Sequence, residues 1–195
     1  MKVKNLKRNV YVIMFFLLVS MSAVGCIGSN KMKNVSQEQA SSPQSILGVY
    51  QNLAWKKNFE QNSHKIYVDL QNIQTSEKTV QIDKKSNLTS EVNFDTDLLV
   101  SSEQTLVNDA QDALNENNNF TVSPKYQEAQ KEWGLALQDY YNGGNYLIIV
   151  TNEGEIGKVN PEESKNGQSL LNSAENHKKR AFTLVYRFQN ESIIE

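Results

Sequence analysis

Apolar residues along this chain recur at helical rather than strand spacing. Trp55, Phe59, Ile66, Leu70 and Ile73 share one helical face, and Leu88, Val92, Leu99, Leu106, Ala110 and Ala113 form a second stripe. A third joins Tyr126, Trp133, Leu137, Tyr140, Tyr141, Gly144, Leu147 and Ile148; a fourth joins Leu170, Ala174, Ala181, Leu184, Val185 and Phe188. Ile46, Tyr50 and Leu53 point to the opposite side of the first helix from Trp55 and Phe59, which predicts a break or kink near residue 54. Residues 75–87 lack a clear period and read as a loop or as the start of a very long second helix. The second stripe is expected to end in a polar loop from Asn115 to Asn119.

Three prolines punctuate the pattern, as Ser42-Pro43, Ser123-Pro124 and Asn160-Pro161. Each sets a good N-cap residue before Pro at the first helical position, where the missing N–H costs no hydrogen bond. Glu162 and Glu163 add negative charge at the positive end of the last helix. Four amphipathic helices with polar connections predict an all-α fold, an antiparallel four-helix bundle over residues 46–195. The alternative is a helical domain with a small C-terminal β-hairpin or sheet. Tyr146 to Thr151, followed by Asn152-Glu153-Gly154, and Ala181 to Phe188 are both β-rich in composition.

The N-terminus has a different pattern. Lys2, Lys4, Lys7 and Arg8 precede an almost wholly apolar run from Val10 to Val19, and small residues then lead to Cys26. Basic, apolar, small is the order of a secretory signal, so residues 1–25 are expected to be a signal peptide. Residues 26–45 are then a flexible polar tether whose length gives a reach of roughly 24 Å. An uncleaved anchor helix and a freely secreted product are the other readings of the same segment. All three put the domain on the outer, extracytoplasmic face of the membrane, because the positive residues stay inside.

Composition narrows the function. The 195 residues carry a formal charge of −2, with one Cys and two His. Near-neutral charge removes the electrostatic footprint of a nucleic-acid binder, and one Cys excludes an internal disulfide or a Cys-rich zinc site. Losing residues 1–25 removes four positive charges and takes the formal charge from −2 to −6. A domain this acidic is repelled by anionic headgroups, so a lipid or an anchor helix must hold it at the membrane.

Catalytic patterns are missing from the sequence. No Glu-x-x-His, G-x-S-x-G, P-loop or H-E-x-x-H occurs, so no metal, cofactor or catalytic residue is expected and the chain reads as a non-enzyme. Asp109 and Asp112 share a helix side, but as solvated surface, and His177 reads as a satisfied residue at the inner edge of its helix. Two features are candidates for binding. Trp133, Tyr140, Tyr141 and Tyr146, with Gly143-Gly144 between them, would line a ligand pocket if they faced a cavity rather than the core. Lys178, Lys179 and Arg180, after His177, form a basic patch as a candidate contact for an anionic partner.

Ala23-Val24-Gly25-Cys26 resembles a lipobox, the lipoprotein signal whose cysteine is lipidated and becomes the first residue of the mature chain, with Ala23 where that pattern prefers Leu. The whole layout of signal, Cys26, polar tether and helical domain resembles prokaryotic surface lipoproteins, archaeal ones included, with helical-bundle domains. The resemblance implies a lipid anchor on Cys26 and an envelope location, and it carries over no activity. The expected function is a non-enzymatic interaction or structural module that contacts an envelope protein or polymer. The alternative is a small-ligand binding or sensing bundle acting through a membrane partner.

Overall fold

The computed structural model describes residues 43–86, 92–155 and 160–191. Four helices cover almost all of them: α1 (Pro43–Ser86), α2 (Val92–Asn119), α3 (Pro124–Glu155) and α4 (Pro161–Glu191). The fold is an all-α bundle. The signal segment, Cys26 and most of the tether lie outside the described residues.

α1, α3 and α4 each begin on one of the three prolines. At α4 the cap is complete, with Asn160 Oδ1 accepting from the Glu162 N–H at 3.0 Å. Side-chain pairs set the helices antiparallel in sequence. Trp55 meets Asn117 and Lys65 meets Asp109 between α1 and α2. Asn117 meets Gln130 and Glu103 meets Thr151 between α2 and α3, while Glu132 meets His177 between α3 and α4. Phe59 of α1 packs on Phe182 of α4 and closes the bundle.

The seam follows a heptad. In α2 the buried positions Thr96, Leu99, Glu103, Leu106, Ala110, Ala113 and Asn117 alternate steps of three and four, with Val107 buried beside Leu106; in α4 Gly167, Leu171, Ala174, Ala181 and Val185 fit the same repeat, with half-buried Lys178 in the remaining place. A 3.5-residue repeat is what keeps a stripe turned toward its neighbours along a whole bundle. Small residues let α3 come close to both partners. A Cβ on Gly143 would lie 2.9 Å from the Leu171 side chain, and one on Gly144 2.7 Å from Val107.

Several local expectations change. α1 runs unbroken through residue 54, with Val49, Tyr50 and Leu53 left exposed instead of turned inward. These residues lie on the side of α1 away from the buried Trp55 and Phe59, so they stay outside the bundle and the helix needs no kink. The same helix continues through residues 75–86, because Ser76 and Val80 carry its buried stripe onward. Helix begins at Pro43, inside the segment expected to be tether.

Asn115 to Asn119 is the last turn of α2 rather than a loop. Asn117 is buried there, accepting from Trp55 Nε1 at 2.9 Å and donating to the Gln130 carbonyl at 3.2 Å. Gln130 Nε2 in turn donates to the carbonyls of Asn117 and Phe120, at 2.7 and 2.9 Å, which satisfies acceptors that a helix end leaves open. Tyr146–Thr151 and Ala181–Phe188 are helical, so the small C-terminal sheet does not form. Their β-branched and aromatic residues serve helix packing, where tertiary contact outweighs intrinsic propensity.

Candidate functional site

Among the described residues, none of the aromatic residues singled out by spacing lines the open groove along α3. Trp133 is fully buried and meets Phe59 edge to face, with ring centroids 5.1 Å apart. Phe59 also stacks on Trp55, and Tyr126, Phe182, Tyr186 and Phe188 extend the cluster. This aromatic cluster fills the end of the bundle that carries the α2–α3 turn. Sequence spacing missed Trp55 and Phe59 as partners of Trp133, because contact between helices leaves no mark on one helix's period.

Tyr140 is also fully buried, and its hydroxyl donates to Glu175 Oε1. Burial, with the Glu175 charge beside it, pushes that phenol well above its ordinary range. Tyr141 and Tyr146 are half-buried along α3, and Tyr146 Cβ sits where a side chain on Gly167 would clash. The open groove nearest this helix, about 430 Å³, is lined instead by Leu114, Phe120, Gln127, Gln130, Lys131 and Leu135, among others.

The basic run divides. Lys178 turns inward to Glu175 Oε1 at 2.6 Å and lies over the Tyr140 ring. His177 Nδ1 pairs with Glu132 Oε2 at 2.6 Å, which gives this half-buried imidazole its partner on α3. Arg180 reaches the same Glu132 oxygen at 4.0 Å, while Lys179 points outward. The four residues therefore present an α3–α4 charge network more than a uniform basic face.

Carboxylates make the most perturbed chemistry, and the sequence did not single them out. Glu103 lies in the α2 seam, its Oε1 accepting from Thr151 Oγ1 at 2.8 Å and its Oε2 buried without a partner. Burial pushes this carboxyl up to about 8, with Thr151 pulling it down and Glu77 adding to the rise. Glu77 of α1 is itself pushed up to about 7 by burial. Further along the α1–α2 seam, Asp69 is raised by burial and then by the neighbouring Asp109.

Asp109 thus finds its acidic neighbour across the helix interface, and Lys65 bridges to it at 2.7 Å; Asp112 is exposed. Asn62 of α1 donates to Glu116 Oε2 at 2.8 Å beside Asn58 at 2.7 Å. Their hydrogen bonds lower the Glu116 carboxyl. These buried acids can hold protons near neutral pH. Among the described residues no three His, Cys, Asp or Glu side chains are gathered as metal ligands, and no helix is long and apolar enough to cross a membrane.

No protein family, curated protein or solved structure gives a significant match to this chain.

Proposed function

We propose that this chain is a membrane-anchored extracytoplasmic lipoprotein whose bundle serves as a non-enzymatic interaction or structural module of the cell envelope. The observation that carries the reading is the order of the N-terminus: basic Lys2 to Arg8, apolar Val10 to Val19, small residues, then Cys26 as the only thiol in the chain. The bundle adds support of a different kind. Trp133 and Tyr140 are wholly taken up in packing, so the chemistry on offer to a partner lies on the outer faces. The same burial weighs against the alternative, a small-ligand binding or sensing bundle that works through a membrane partner.

Metabolic labelling with a lipid precursor in the native host tests the anchor. The chain is expected to take up label and to fractionate with membranes. Cys26→Ser is expected to lose the label while the bundle melts at an unchanged temperature. Label retained by the Cys26→Ser protein would overturn the lipoprotein reading. A crosslinking pull-down from the same envelope, read by quantitative mass spectrometry, then tests the interaction role. One envelope protein or polymer recovered near equal stoichiometry is the expected result.

A further inference from the structure

The N-terminal end of α1 carries three large apolar side chains that are mostly exposed. Val49, Tyr50 and Leu53 are 65%, 66% and 62% exposed, the three highest values among the large apolar residues described. They sit at positions i, i+1 and i+4, on one side of the helix. Of the others, Tyr67 and Val68 lie side by side further along α1 at only 39% and 38%, while Leu98, Leu135 and Ile149 fall singly on other helices, as scattered surface residues normally do.

The position of this patch follows from the α2–α3 turn. Asn52 is tied to Ser123 twice, its Oδ1 accepting from the Ser123 N–H at 2.8 Å and its Nδ2 donating to Ser123 Oγ at 2.9 Å. The nine residues Pro43–Gln51 precede that clamp, and at 1.5 Å per residue they span about 13 Å. Cys26, where the lipoprotein reading starts the mature chain, lies 17 residues before Pro43, with the apolar run Val10 to Val19 upstream of it. Whatever holds that segment at a membrane delivers this end of the bundle first.

Charge is divided along the same axis. Residues 43–64, 106–138 and 176–191, the half of the bundle that carries the α2–α3 turn, sum to a formal +1. Residues 65–86, 92–105, 139–155 and 160–175, in the other half, sum to −7. No acid occurs in residues 43–59, 117–127 or 176–190. An anionic surface therefore repels the far half and accepts the near one. The acidity of the whole domain, which argued against surface contact, belongs to its distal end.

We propose that the first turns of α1, through Val49, Tyr50 and Leu53, rest in the headgroup region of an anionic phospholipid bilayer and stand the bundle with its acidic end outward. The proposal rests on the reading of the chain as membrane-anchored. It adds a second, reversible contact to the anchor. Tyrosine suits such a boundary because its ring is apolar and its hydroxyl stays in water. An amphipathic helical segment binds there through apolar area together with attraction to anionic lipid.

Tyr50→Trp in the full chain, reconstituted into vesicles of seven parts phosphatidylcholine to three parts phosphatidylglycerol, tests the contact. Trp55 and Trp133 are fully buried, so iodide quenching reads the added indole. The expected result is blue-shifted emission, at least fivefold less iodide quenching than for the same variant in pure phosphatidylcholine vesicles, and quenching by brominated lipid. Adding Val49→Glu and Leu53→Glu is expected to restore iodide quenching while the chain stays with the vesicles.

Full iodide access with the chain still membrane-bound would overturn the contact and leave the anchor standing. Recovery of the chain in the aqueous fraction would overturn the anchoring reading as well. Protection that grows with protein concentration and is indifferent to anionic lipid would assign the patch to a second copy of the chain and overturn the proposal.

Discussion

Glu103 shows how a single side chain sets a condition on the whole bundle. It is 1% exposed in a seam position that a leucine would fill in an ordinary bundle, and one of its oxygens has no partner. Its carboxyl and that of Glu77 are pushed up to about 8 and about 7, mainly by burial, from ordinary values of 4.5. Between the ordinary and the raised values the folded chain holds protons that the unfolded chain has released. Stability is therefore highest near and below pH 4.5 on this account and falls as pH rises through 7 and 8.

Forcing Glu103 to ionise in place costs the fold on the order of 5 kcal/mol. Glu116 acts oppositely, because its carboxyl is lowered, but its contribution changes only in the acid range below 4.5. The melting temperature is expected to drop between pH 5 and pH 8.5. Glu103→Gln, which keeps the shape and a partner for Thr151, should flatten part of that drop, with Glu77 and Asp69 supplying the rest. Thermal melts across a pH series check it; an equally steep profile for the variant would refute the assignment.

At the scale of the helix, glycine decides how closely neighbours approach. Gly48, near the exposed start of α1, has nothing within 4 Å of an added Cβ. Gly48→Ala should stabilise by up to about 1 kcal/mol, the difference in helix propensity between the two residues. Gly167→Ala has the same propensity gain, yet its Cβ would fall 2.9 Å from Tyr146 Cβ, an atom too close to the backbone to swing aside. Overpacking of this kind costs about 1–3 kcal/mol, so a net loss is expected. Urea titrations of the two variants should move in opposite directions from wild type. A stabilised Gly167→Ala protein would mean that α3 and α4 separate easily.

The molecule as a whole is chemically uneven from end to end. Trp55, Phe59, Trp133 and Phe182 fill one end, and Glu77, Glu103 and Thr151 meet in the other. At pH 5 both ends are electrically quiet inside, and unfolding should be one cooperative transition. At pH 8.5 the acidic end carries ionised buried carboxylates and should open first. Both tryptophans report on the aromatic end, whereas far-UV circular dichroism reports on all four helices. The two signals are expected to coincide at pH 5, with dichroism leading at pH 8.5. Coincidence at both values would show that the ends are tightly coupled.

Helical class was legible from residues 55–73 and 126–148 because apolar side chains at a helical period need a partner face wherever they are placed. The three Pro starts were equally legible, since the fixed φ of proline and its missing N–H act locally. The N-terminal reading of signal and Cys26 likewise comes from local order alone. What escaped were the positions where the seam is polar: Ser76, Glu103 and Asn117 belong to the buried stripe, but each looks like surface in a one-dimensional pattern. Only the packed neighbours give Asn117 its donor in Trp55 and bring Glu77 near Glu103. That Val49, Tyr50 and Leu53 stay uncovered was also decided by tertiary structure, because exposure depends on which face of α1 the other helices cover. Sequence by itself determined which segments are helices and where three of them begin. The fold decided which polar groups are buried, which acids hold their protons, and which apolar face is left for a partner, because each of these is a property of neighbours distant in sequence.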